Sequence, residues 1–208
     1  MSEDVPGARV EIDLACDLHG FFEDLLDDAL RSHGYSATEA SERYVVGILA
    51  DFAKPAAREV EALERPLTLL LDEALHSAGS ERFERLRSLG DGVLYTSGFF
   101  AEHLKERGVE LRYVRELGAR AYDGAASMLR GHGESGAPDL FRELSDNFTM
   151  FADMVGCVAD ALQANSAHVS DREMVRLYER WLRTGSAPLA AVLLGRGVSP
   201  QRGQGGIH

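Results

Sequence analysis

Between Pro138 and Ala164 the chain carries an apolar surface too wide for a half-exposed helix. Phe141, Leu144, Phe148, Phe151, Val155, Val158 and Leu162 recur at alternating spacings of three and four, which sets them on one helical face. Met150, Met154, Cys157 and Ala161 form a second stripe beside the first. A helix apolar over most of its circumference must be buried among other helices. The expectation is therefore an all-α fold, a single domain of about seven or eight helices around a central buried helix at residues 138–164. Pro138 suits a first helical position, the Gly-rich GHGESGA before it reads as a loop, and Asn165 and Ser166 close the segment.

The N-terminal segment carries a different period. Val10, Ile12, Leu14, Cys16 and Leu18 alternate with Glu11, Asp13, Ala15 and Asp17, so residues 1–20 are expected to be an acidic arm or a short edge strand. The only comparable stretch is VELRYV at 109–114. From residue 21 to 194 the pattern is helical, and 195–208 read as a flexible tail. Phe22, Leu25, Leu26, Ala29 and Leu30 face inward on the first helix, and Ser36 with Glu39 forms a capping box for the second. Pro66 starts a helix with Leu67, Leu70, Leu71, Ala74 and Leu75 inward. The next helix is expected over 81–107. It contains Gly90, Gly92 and Gly98, each costing about 1 kcal/mol relative to Ala in a helix interior. That expense points to close backbone approach, and the small face of Gly118, Ala121, Ala125 and Ala126 on the following helix is its expected neighbour. Beyond the central helix, Ser170 and Glu173 form another capping box, with Leu177, Tyr178, Trp181 and Leu182 inward.

Charge narrows the range of partners. Of the net charge of -12, residues 1–51 account for -9, with twelve acids against three arginines. A protein that follows phosphates needs a basic stripe, and none is present, so no nucleic-acid partner is expected. The opening residues lack a basic n-region followed by an apolar run, and no apolar stretch approaches a membrane span; neither secretion nor a membrane partner is expected. Cys16 and Cys157 are far apart and lack zinc-type spacing, which fits a reducing cytoplasm.

Three groups of side chains are candidates for chemistry. Glu73 and His76 form an ExxH pair of the kind that supplies half of a helical di-metal site, but no second ExxH follows. Glu23, Asp24, Asp27 and Asp28 stack like charges at i and i+4; Asp24 and Asp28 are candidate magnesium ligands, the alternative being a solvated face. Asp91 stands in an apolar helix with Tyr95 one turn on, and a buried Asp needs a partner. Arg115, Arg120 or Tyr122 of the small-faced neighbour would supply one, so Asp91, Tyr95, Tyr122 and Arg120 are candidate ligand-binding residues. Ser97 lacks the strand-to-turn setting of a nucleophile elbow and reads as a packing residue.

The segment LGDGVLYTSGFF at 89–100, together with Tyr178 to Leu182 near the C terminus, resembles an uncharacterised group of small all-helical proteobacterial proteins of unknown function. That resemblance spans roughly residues 40–195 and implies a helical fold without implying an activity or cofactor. Two functional readings follow. The favoured one is a non-catalytic interaction protein, an adaptor or regulatory subunit that self-associates and offers its acidic N-terminal surface to a basic protein partner. The alternative is a helical enzyme or small-ligand or metal-binding protein with a pocket near Glu73, His76, Asp91 and Tyr95. No cofactor is expected.

Overall fold

The computed structural model describes the backbone of residues 7–53, 65–130 and 137–165 with isolated positions between 174 and 201, and within these the side chains from residue 18 onward except 130, 137, 138, 164 and 165. The fold is all-α. Its eight described helices are α1 (Gly7–His33), α2 (Glu39–Phe52), α3 (Leu67–His76), α4 (Gly79–Phe99), α5 (Ala101–Glu106), α6 (Leu111–Arg130), α7 (Ala137–Asp146) and α8 (Phe148–Asn165). Among the described residues there is no strand, and no helix is long and apolar enough to cross a membrane.

The expected central helix is the middle of the fold, but as two helices. Both stripes face the core on α8: Phe151, Met154, Val155 and Val158 are wholly enclosed, Cys157 and Ala161 nearly so, Met150 and Leu162 only partly, and α8 packs on α1, α4 and α6. The break falls at Asn147, whose side-chain amide donates to the Glu143 carbonyl at 3.2 Å. An Asn amide competes for backbone groups within its own turn, and residues of this kind favour helix ends over interiors. The break lets α7 pack mainly on α6, through Phe141 and Leu144, while α8 runs on against α4 and α1.

The N-terminal strand or arm is corrected: residues 7–20 belong to α1, which continues unbroken to His33. An alternating pattern also contains every fourth residue, so Leu14 and Leu18 extend the line of Phe22, Leu26 and Leu30 along one helical face. The stretch expected to pair with it is mostly helical as well, since α6 starts at Leu111. The helix expected over 81–107 divides at Phe100, which has φ -113° and ψ 26°, and Gly108 at φ 75° ends α5. Leu75 also departs from expectation. It is 45% exposed, and on α3 only Ala74 is fully enclosed.

The glycines admit the close contacts that their cost implies. A Cβ on Gly118 of α6 would lie 2.3 Å from the Phe148 ring and 2.7 Å from Val93 of α4. One on Gly98 would meet the Ala152 carbonyl of α8 at 2.8 Å. Helices α4 and α6 consequently form the most extensive pair in the fold, with Ala121, Ala125 and Ala126 buried. Trp181 and Leu193 centre a second, smaller cluster with Met174 and Tyr178, while Leu182, expected inward, is exposed. The Ser170 and Glu173 box, Leu177 and the tail from 202 lie outside the described residues.

Candidate functional site

A polar network lies where α2, α4 and α6 meet. Asp91 of α4 accepts on one oxygen, Oδ1, a hydrogen bond from the Tyr44 hydroxyl of α2 at 2.8 Å and another from the Tyr122 hydroxyl of α6 at 2.8 Å. Gly90 makes this reach possible, because a Cβ there would stand 2.5 Å from the Tyr122 ring. Phe141 of α7 closes the network, edge-on to Tyr44 with centroids 5.4 Å apart and tilted against Tyr122 at 5.8 Å. Arg87, one turn before Asp91 on the same face, donates to Glu84 at 2.8 Å.

Burial dominates the electrostatics. It raises the Asp91 carboxyl to about 6, against the opposing pull of the Tyr44 and Tyr122 hydrogen bonds and the Arg87 charge. Both phenols are pushed upward, first by burial and then by the Asp91 charge. Burial works against the Arg87 cation, but Tyr44, Asp91 and Glu84 outweigh it and hold the guanidinium protonated. With two phenols that stay protonated, the group able to change charge near neutrality is Asp91. Chemically the network ties three helices together and can take up one proton.

Of the four candidate ligand-binding residues, the structure brings Asp91 and Tyr122 together in this network. Arg120 is exposed and is not the partner of Asp91; Arg115 points elsewhere, to Asp153 at 2.8 Å and the Ser97 carbonyl at 3.4 Å. Tyr95 also turns away, stacking on Phe52 at 4.3 Å and Phe99 at 4.9 Å. Tyr44 and Arg87 were not foreseen. The available signal was the i, i+4 placement of Arg87 and Asp91, and a Tyr one turn before the buried Ile48.

The ExxH pair is drawn to separate partners. Glu73 is bound by Arg65, with Arg85 at 3.8 Å, whereas the His76 ring bonds the Asp72 carbonyl at 2.8 Å and stands 3.4 Å from its carboxylate. Among the described residues no group of three or more His, Cys, Asp or Glu stands close enough to hold a metal ion.

Glu23, Asp24 and Asp28 are exposed on α1 and Asp27 is half-buried; Arg31 pairs with Asp28 at 3.0 Å and Asp27 at 3.8 Å. The acidic face extends beyond α1. Glu42 of α2 is shifted upward by burial and then by Asp27, Glu143, Glu39 and Glu23, carboxylates drawn from three helices. Glu143 has a separate task as a cap supplied across the fold. The expected Ser36 box is replaced by Thr38 as N-cap of α2, and the Thr38 amide donates to Glu143 at 2.9 Å while the Thr38 and Ser41 hydroxyls donate to its other oxygen. Burial works to raise Glu143, but these hydrogen bonds outweigh it and hold the carboxyl below its usual range.

Comparison with family models, curated proteins and solved structures returns no match.

Proposed function

We propose that the chain is a non-catalytic helical interaction protein, an adaptor or regulatory subunit that presents the acidic face of α1 and α2 to a basic protein partner. The observation that carries this reading is the gathering of acidic side chains from three helices around Glu42, whose carboxyl is raised by burial and then by Asp27, Glu143, Glu39 and Glu23. Among the described residues of α1 and α2, Arg31 pairs with Asp27 and Asp28, and Arg43 with Glu39. Phe21 is 43% exposed and shares a stripe with the exposed Asp24, Asp28 and Arg31. A large exposed apolar side chain among carboxylates suits a basic segment that carries an apolar side of its own. Self-association and a cytoplasmic setting belong to the same reading, with the exposed Leu69, Leu75 and Tyr113 as apolar surface that assembly would cover. So does kinship with the uncharacterised proteobacterial group, on residues 89–100.

The experiment that separates this reading from a metal site is a melting series in magnesium, calcium or chelator, with wild type and an Asp24→Asn, Asp28→Asn double variant. A partner-binding face gives curves independent of metal, and the double variant melts at or slightly above wild type because like charges are removed. A ligand that binds only the folded state raises its stability by mass action. A chelator-induced fall in wild type that vanishes in the double variant therefore overturns the proposal.

A further inference from the structure

The seam between α1 and α8 brings a thiol onto an imidazole. Cys157 Sγ of α8 lies 3.9 Å from His33 Nε2, at the end of α1. The other ring nitrogen, Nδ1, is 2.9 Å from the Ala29 carbonyl. A carbonyl can only accept, so Nδ1 carries the proton and Nε2 presents its lone pair to the sulfur. His33 also sits in the last turn of α1, where the outward-facing backbone carbonyls favour a cation. Both features stabilise the pair after the proton has moved from sulfur to Nε2, because the imidazolium keeps its bond to Ala29 O. The ring is half-buried and stacks parallel to Tyr35 at 6.4 Å; Tyr35 is exposed, so this end of the seam opens to solvent. Cys157 is 7% exposed.

We propose that Cys157 is an oxidisable, nucleophilic thiol activated by His33, with a small hydroperoxide as its oxidant. The thiol proton passes to His33 Nε2, and the sulfur attacks one peroxide oxygen. An S–O bond forms and the O–O bond breaks. The departing oxygen takes the proton from His33 and leaves as water, or as an alcohol from an alkyl hydroperoxide. The thiol is oxidised to a sulfenic acid, the peroxide is reduced, and His33 returns to its neutral form.

The test uses the full chain with Cys16→Ser, so that Cys157 is its only thiol. Iodoacetamide alkylation is timed at neutral pH on the native protein, on the same protein unfolded in urea, and on a His33→Gln variant. A thiol that is merely buried reacts more slowly when native than when unfolded. An activated one reacts faster, by roughly tenfold, since an ordinary thiol is only a few per cent ionised at pH 7. His33→Gln removes that advantage. Brief treatment with substoichiometric hydrogen peroxide, followed by dimedone, places a mass adduct on Cys157 of the native protein. Slower alkylation of native than unfolded chain, an unchanged rate in folded His33→Gln, or no dimedone adduct would each overturn the proposal. The native-to-unfolded comparison decides the matter even where His33→Gln does not fold.

Discussion

Replacing Asp91 by Asn removes a buried charge without removing the hydrogen bonds that justify its position. Both tyrosine hydroxyls donate to the same oxygen, Oδ1, and an amide oxygen has two lone pairs with which to accept both. In the folded protein the Asp91 carboxyl is raised from 3.8 to about 6. The fold therefore holds a proton more tightly than the unfolded chain, and the associated stability is fully present below pH 3.8 and lost as pH rises through about 6. A shift of this size corresponds to about 3 kcal/mol. The Asp91→Asn protein does not titrate at this position. Urea unfolding at pH 4 and pH 7 should show the variant gaining on wild type by about 2 kcal/mol between the two, the rest of the shift lying below pH 4, with the gain concentrated between pH 4 and 6. Comparing variant with wild type at each pH cancels the other carboxylates. A difference that stays flat with pH, or a variant that loses ground as pH rises, would refute the burial argument.

Tyr122→Phe leaves Asp91 one donor short and should cost about 1–3 kcal/mol in urea unfolding, while moving the Asp91 titration still higher because that hydrogen bond holds it down. Gly118→Ala should destabilise by about 1–3 kcal/mol because its Cβ meets Phe148 and Val93, whereas Gly47→Ala, with nothing within 4 Å, should stabilise by about 0.5–1 kcal/mol; equal effects would sink the close-packing account. Phe148→Ala should cost about 3–5 kcal/mol, and a loss below about 1 kcal/mol would mean that α8 is not the core. Glu143→Gln should cost about 1 kcal/mol at neutral pH. Because Glu143 is lowered in the fold, its contribution is present above pH 4.5 and fades on acidification, so the cost should shrink as pH falls.

The pattern of apolar residues carried the fold class because burial is periodic: Phe141 to Leu162 spells a buried helical surface whatever its neighbours are. It did not reveal the break at Asn147, since the three-four spacing runs through Leu144 and Phe148 without interruption. The N-terminal segment was misread because Leu14 and Leu18 satisfy both a period of two and a step of four, and the sequence alone offers no partner by which to decide. At the candidate site, Asp91 stood out as a charge in an apolar helix, and Gly90 beside it marked a close approach. Its true partner on α2, Tyr44, lies 47 residues away, and no local period encodes that meeting. The same holds for Glu143, 105 residues from the helix start it caps, and for Cys157 and His33, 124 residues apart. Pairings of this kind depend on how helices are stacked.

The most direct test of the acidic face as a docking surface is a fluorescence anisotropy titration with a labelled basic amphipathic helical peptide, at low and at physiological salt. It compares wild type with a variant carrying Glu23→Gln, Asp24→Asn, Asp27→Asn and Asp28→Asn. Rim charges contribute about 0.2–1 kcal/mol each, so neutralising four should weaken binding by roughly tenfold or more at low salt. Salt should narrow the gap, because screening removes most of what these exposed charges add. Equal affinity of wild type and variant at low salt would contradict the account and return the acidic face to a solvated surface.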